Sequence, residues 1–118
     1  MGLLNRFFGK QKYDAAPLSE HAVIVHFHYG STDLSRLFAL EQEIEEAIAA
    51  AGVGDFDGNE VAADGSDGSL YMYGPDADAL FAAVRGRLEA ADFLRGARVK
   101  LRYGSPQGGV KEVEIALP

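Results

Sequence analysis

Residues 21–30 alternate without a break. Val23, Val25, Phe27 and Tyr29 fall on one side; Ala22, Ile24, His26 and His28 fall on the other. Successive side chains of a strand point to opposite faces, so the run predicts a strand with one apolar and one mixed face. Its apolar face needs a cover, and the next segment offers one. Leu37, Leu40, Ile44, Ile48 and Ala51 recur at three- and four-residue steps, the stripe of an amphipathic helix. Glu41, Gln42, Glu45 and Glu46 cover much of its outside. Ser31, Thr32 or Asp33 can cap its start. Gly52 or Gly54 can end it through a left-handed residue.

The remaining elements follow the same two periods. Residues 60–63 read as a short second strand, and Asp64-Gly-Ser-Asp-Gly68 as a turn. Residues 69–73 read as a third strand, with Leu70 and Met72 opposite in facing to Tyr71 and Tyr73. Pro75 suits the first position of a second helix, and Asp76 and Asp78 favour its positive end. That helix would bury Leu80, Phe81, Val84, Leu88 and Ala91, with Phe93 and Leu94 packing its end. Gly86 inside it predicts a close helix contact, because a helical glycine otherwise costs about 1 kcal/mol against alanine. Residues 97–103 alternate Val99, Leu101 and Tyr103 with Arg98, Lys100 and Arg102. After a loop at 104–109, residues 110–117 alternate Val113 and Ile115 with Glu112 and Glu114.

The order is β-α-β-β-α-β plus one strand. That is the split β-α-β, ferredoxin-like plan: an α+β two-layer sandwich of two helices on one antiparallel sheet. Right-handed crossovers give the expected strand order 5-4-1-3-2, the fifth strand added at an edge by a hairpin. One sheet face is then left open.

A chain of 118 residues fits one domain, placed at residues 21–118. Residues 1–20 read as a tail and linker. There Leu3, Leu4, Phe7 and Phe8 share a helical face beside Arg6, Lys10 and Lys12. Such a basic amphipathic piece, residues 1–12, can touch a membrane surface or a partner. The plainer expectation is a frayed terminus or a helical turn folded back on the domain. With no cysteine, disulfides and thiolate metal sites are excluded. No apolar run approaches the ~20 residues of a membrane span, and no signal-peptide pattern is seen. The expected location is cytoplasmic. The net charge of −7 is concentrated in the middle: residues 31–95 carry fourteen acids against Arg36, Arg85, Arg87 and Arg95. That balance repels nucleic-acid backbone and suits solubility or a basic partner.

The open face is the candidate site. It would gather His26 and His28 from strand 1, Tyr71 and Tyr73 from strand 3, and Arg98, Lys100 and Arg102 from strand 4. Stacked bases, a protein or dimer interface, and a plain solvated sheet are the three readings of such a face. The Gly-aromatic-Gly-Phe signature of RNA-recognition sheets is missing, and the acidic charge opposes nucleic acid. His26-x-His28 has metal-ligand spacing, but a carboxylate such as Glu60 would have to complete the set, so no metal or other cofactor is expected. A calcium loop starting at Asp55 needs glycine at its sixth position and glutamate at its twelfth. Those positions are Glu60 and Ser66, so residues 54–60 read as a helix-to-strand turn. No nucleophile elbow, phosphate loop or dinucleotide fingerprint is present, and no catalytic residue or small-molecule ligand is expected.

Three stretches carry a resemblance: Gly-Asp-Phe-Asp-Gly-Asn-Glu at 54–60, Leu-Tyr-Met-Tyr-Gly-Pro-Asp-Ala-Asp at 70–78, and Val-Lys-Leu-Arg-Tyr-Gly at 99–104. Over roughly residues 20–118 the chain resembles a group of small bacterial ferredoxin-like proteins, which implies the fold and no activity. The helix running into Gly-Asp-Phe-Asp-Gly, with the size and acidity, is also similar to the ribonuclease E inhibitor family. That likeness implies an acidic inhibitor of a nuclease or another basic partner. The expectation is a non-enzymatic interaction domain acting through the open sheet face and the acidic helix surface. The acidic inhibitor is the second expectation and a small metal-binding protein the third.

Overall fold

The computed structural model describes residues 20–107 and 109–118. The tail reading over residues 1–12 and most of the linker lie outside the described residues. Eight elements follow in order. They are β1 (His21–His28), α1 (Ser35–Ala51), β2 (Asp55–Val61), β3 (Asp67–Gly74), α2 (Ala77–Ala90), a 3-10 turn (Asp92–Leu94), β4 (Arg98–Arg102) and β5 (Glu112–Ala116). The strands form one antiparallel sheet in the order β2-β3-β1-β4-β5, which is 5-4-1-3-2 read from the β5 edge. The architecture of the described residues is α+β, two helices on one face of a five-stranded sheet.

The core lies between those layers. Val23, Val25 and Phe27 of β1, Leu70 and Met72 of β3, and Val99 and Leu101 of β4 meet Leu37, Leu40, Ile44 and Ile48 of α1 and Leu80, Phe81, Val84 and Leu88 of α2. Period 2 and period 3.6 thus converge on one apolar volume. Truncating a fully buried residue such as Ile44 or Leu88 to alanine costs about 2–5 kcal/mol, the lost transfer energy plus the cavity left behind. Phe93 closes one end, its ring 5.1 Å from Tyr29 and 5.9 Å from Phe27.

Several expectations are corrected. The stretch read as a helix-to-strand turn is most of β2, which runs from Asp55 rather than residue 60. Asp55 and Phe56 pair with Tyr73 and Met72, and Asn59, Glu60 and Val61 with Leu70, Ser69 and Gly68. Between them Asp57 and Gly58 stand opposite the single residue Tyr71. This is a β-bulge, and Gly58 takes it with a φ of 98° that other residues rarely adopt. The acids and the glycine look like turn chemistry because the strand is irregular there.

The helix ends also shift. In α1 the residue completing the buried stripe is Ala47, while Ala51 is exposed at the helix end. None of Ser31, Thr32 and Asp33 is its N-cap. Leu34 is, and Asp33 instead accepts from the Ser35 N–H just inside. At the start of α2, Asp76 is the cap and Pro75 lies outside the helix. Ala91 ends α2 half-buried. Gly86 makes no close contact, since a Cβ built there would have open space around it.

Candidate functional site

The register places all seven candidate residues on the sheet face opposite the helices. Ala22, Ile24, His26 and His28 of β1 lie beside Tyr73, Tyr71, Ser69 and Asp67 of β3. On the other side, Ala22, Ile24 and His26 lie beside Arg102, Lys100 and Arg98 of β4. Asp55 and Glu60 of β2, and Glu112 and Glu114 of β5, share the parity that puts them on this face.

The middle of the face is apolar. Ala22 is fully buried although it is not part of the core under the helices. Ile24 beside it is half-buried and also outside that core. Tyr73 and Arg102 flank Ala22, and Tyr71 and Lys100 flank Ile24. Rings and aliphatic stems of this kind can cover small apolar neighbours while their polar ends reach outward. The alternation of β1 had placed Ala22 and Ile24 here. Their importance shows only when pairing sets tyrosines beside them.

Polar pairs surround this strip. The Ser69 hydroxyl lies 2.7 Å from His26 Nδ1. His28 Nδ1 lies 2.9 Å from Asp67 Oδ1, both side chains well exposed. The Tyr71 hydroxyl donates to Glu60 Oε1 at 2.5 Å. Arg102 Nε donates to the Gly104 carbonyl at 2.7 Å. Arg98 lies 3.8 Å from Glu114 and Lys100 3.8 Å from Glu112, both diagonal to the strand register. The basic row of β4 is therefore matched by the acidic row of β5. Among the described residues Arg98, Lys100 and Arg102 share the face with Asp55, Glu60, Asp67, Glu112 and Glu114, so these give it no surplus of positive charge for a phosphate backbone.

Glu60 does not complete a three-ligand set with the histidines. Its carboxylate receives the Tyr71 hydroxyl, and among the described residues no group of three or more His, Cys, Asp or Glu is placed to hold a metal ion. His21, the third histidine, is used elsewhere: its Nδ1 accepts the Ala77 N–H at 3.0 Å, at the start of α2. Where the end of β2 meets the start of β3 there is a shallow depression of about 290 Å³, lined by Glu60, Val61, Ala62, Asp67, Gly68 and Ser69.

One feature escaped the sequence reading. Glu41, expected on the outer surface of α1, turns toward β2 and receives the Asn59 side-chain amide at 2.5 Å. Burial pushes its carboxyl up to about 7 from an ordinary value of 4.5. The Asn59 hydrogen bond opposes the shift, and Glu45 one turn along adds to it. The spacing held the signal, because residue 41 is four after Leu37 and three before Ile44, on the rim of the buried stripe.

Compared with family models, with curated proteins and with solved structures, the chain matches none. Among the described residues no helix is long and apolar enough to cross a membrane.

Proposed function

We propose that this chain is a non-enzymatic, cytoplasmic protein-interaction domain of bacterial type, docking a partner protein on the sheet face opposite α1 and α2. The observation that carries the reading is the strip Ala22, Ile24, Tyr71 and Tyr73, apolar at its centre and bounded by ionic and hydrogen-bonded pairs. Docking surfaces have that anatomy, an apolar centre inside a polar rim, and tyrosine is enriched among the residues that dominate their energetics. Five acids against three bases among the described residues of the face, with a chain charge of −7, favour a partner that is apolar at its centre and basic at its edge. The acidic outer surface of α1, with Glu43, Glu45 and Glu46 exposed, extends the same preference.

The test compares the wild-type chain with the double variant Tyr71→Ala, Tyr73→Ala. Affinity capture from a lysate of the source cell is run with both, alongside sedimentation to detect self-association. Circular dichroism should not change, because neither ring belongs to the core under the helices. Loss of the captured partner, or of the dimer, in the double variant supports the reading. A partner held equally well by both chains would sink it.

The acidic-inhibitor reading rests on charge and on the resemblance drawn from residues 54–58. It differs in its salt dependence. Contacts dominated by exposed charges weaken steeply as the Debye length shrinks, whereas docking through the tyrosine strip persists.

A further inference from the structure

We propose that His26 and His28 form a two-imidazole chelating site for a divalent transition metal of the copper, nickel and zinc class. Residues two apart on a strand share a face, about 6.7 Å apart along it. Both rings are exposed, and each is held by its Nδ1 rather than its Nε2. Asp67 Oδ1 lies 2.9 Å from His28 Nδ1. A carboxylate only accepts, so the proton sits on Nδ1 and the neutral ring presents its Nε2 lone pair outward. The Ser69 oxygen lies 2.7 Å from His26 Nδ1 and can accept in the same way.

Metal-binding histidines characteristically donate their other ring nitrogen to a carboxylate or another oxygen, which fixes the tautomer and the ring direction. Here the His28 ring has that arrangement with Asp67, and the neighbouring His26 ring can take it with Ser69. Asp67 stands across from His28, and Glu60 lies one strand beyond Ser69, the partner of His26; both carboxylates favour a cation. Two imidazoles leave the remaining coordination positions to water. Imidazole suits copper, nickel and zinc, and the general order of divalent affinities puts copper(II) first. This site goes beyond the docking role and uses a different part of the face from the tyrosine strip.

Copper(II) is the probe, titrated into the full-length, tag-free chain by calorimetry, with electron paramagnetic resonance on the loaded protein. The expected result is one copper per chain, with hyperfine structure from two imidazole nitrogens. His26→Ala and His28→Ala should each lower the affinity at least tenfold. Asp67→Asn should lower it about tenfold through loss of the ring's orientation. His21→Ala should leave it unchanged. Absence of saturable binding to the wild type, or equal binding by the His26→Ala, His28→Ala double variant, overturns the site. Both histidines are exposed, so circular dichroism verifies that the variants stay folded.

Discussion

The Asn59 side-chain amide on β2 donates to Glu41 Oε2 on α1 at 2.5 Å, joining the edge of the sheet to the helix layer through a half-buried carboxyl. Burial disfavours the charged form more than the amide supports it, so the folded chain holds the proton up to about pH 7. The unfolded chain releases it near 4.5. A folded-state value above the unfolded one means that the contribution of Glu41 to stability is fully present below pH 4.5. It then falls as pH rises toward 7 and is flat beyond.

Glu41→Gln should remove this slope. The glutamine oxygen still accepts from Asn59, and no charge is buried at neutral pH. Because the carboxyl is only partly shielded from water, the gain at pH 7.5 is about 1 kcal/mol rather than the full value of the shift. Urea denaturation of both chains between pH 4 and 8 checks this. Asp33 and Asp64 do not confuse the window, because hydrogen bonds from Ser35 and Ser66 hold both below the usual carboxylate range and their effect falls at more acid pH. A wild-type profile rising from pH 4.5 to 7 would contradict the assignment.

Two glycines give opposite expectations for the same substitution. Gly86 sits exposed inside α2 with nothing within 4 Å of a built Cβ, so Gly86→Ala should stabilise by about 0.5–1 kcal/mol through helix propensity. At Gly54 the φ is 148°, and a Cβ would fall 2.1 Å from the Tyr73 carbonyl oxygen. Across from it, a Cβ on Gly74 would fall 2.2 Å from the Val53 carbonyl oxygen. The entry to β2 and the end of β3 thus pass backbone against backbone. Gly54→Ala should cost several kcal/mol, about the upper range for single substitutions, and lower the thermal midpoint sharply. Near-equal midpoints for the two variants would refute the close approach.

How much of this was legible in the sequence depends on where two signals agreed. In β1, alternation, β-branched residues and length all pointed to a strand, and the stripes of α1 and α2 then left one arrangement that buries every apolar face. In β2 they conflicted. Asp55, Asp57, Gly58 and Asn59 read as a turn because local composition cannot announce a bulge, which exists only against a partner strand. Gly86 implied a contact that is not there, since propensity says what a residue costs and not what surrounds it. On the face, the parity of His26, His28, Arg98, Lys100 and Arg102 was readable, but their partners were not. The diagonal Arg98–Glu114 and Lys100–Glu112 contacts depend on the register between β4 and β5, and they turn a basic row into a balanced one.

The first turn of α2 yields the last prediction. Its backbone donors are met from two elements: Asp76 Oδ1 accepts from the Asp78 and Ala79 N–H groups, and His21 Nδ1, from the start of β1, accepts from that of Ala77. Tyr103, just past β4, donates its hydroxyl to Asp78 Oδ1 at 2.6 Å, and its ring meets the His21 ring edge-on at 5.8 Å. The helix start is therefore tied to the sheet by the one histidine of β1 that does not belong to the face opposite α1 and α2. Asp76→Ala should cost about 1 kcal/mol, the ordinary value of an N-cap. His21→Ala should cost about 1–3 kcal/mol, because Ala77 is buried and its N–H would lose its acceptor. The two losses fall on adjacent donors of one turn, so the double variant should depart from additivity by at least about 0.5 kcal/mol. Urea denaturation of the four chains completes the cycle. Strict additivity would mean that His21 and Asp76 hold the helix start independently, and a His21→Ala variant as stable as the wild type would remove the histidine from the cap altogether.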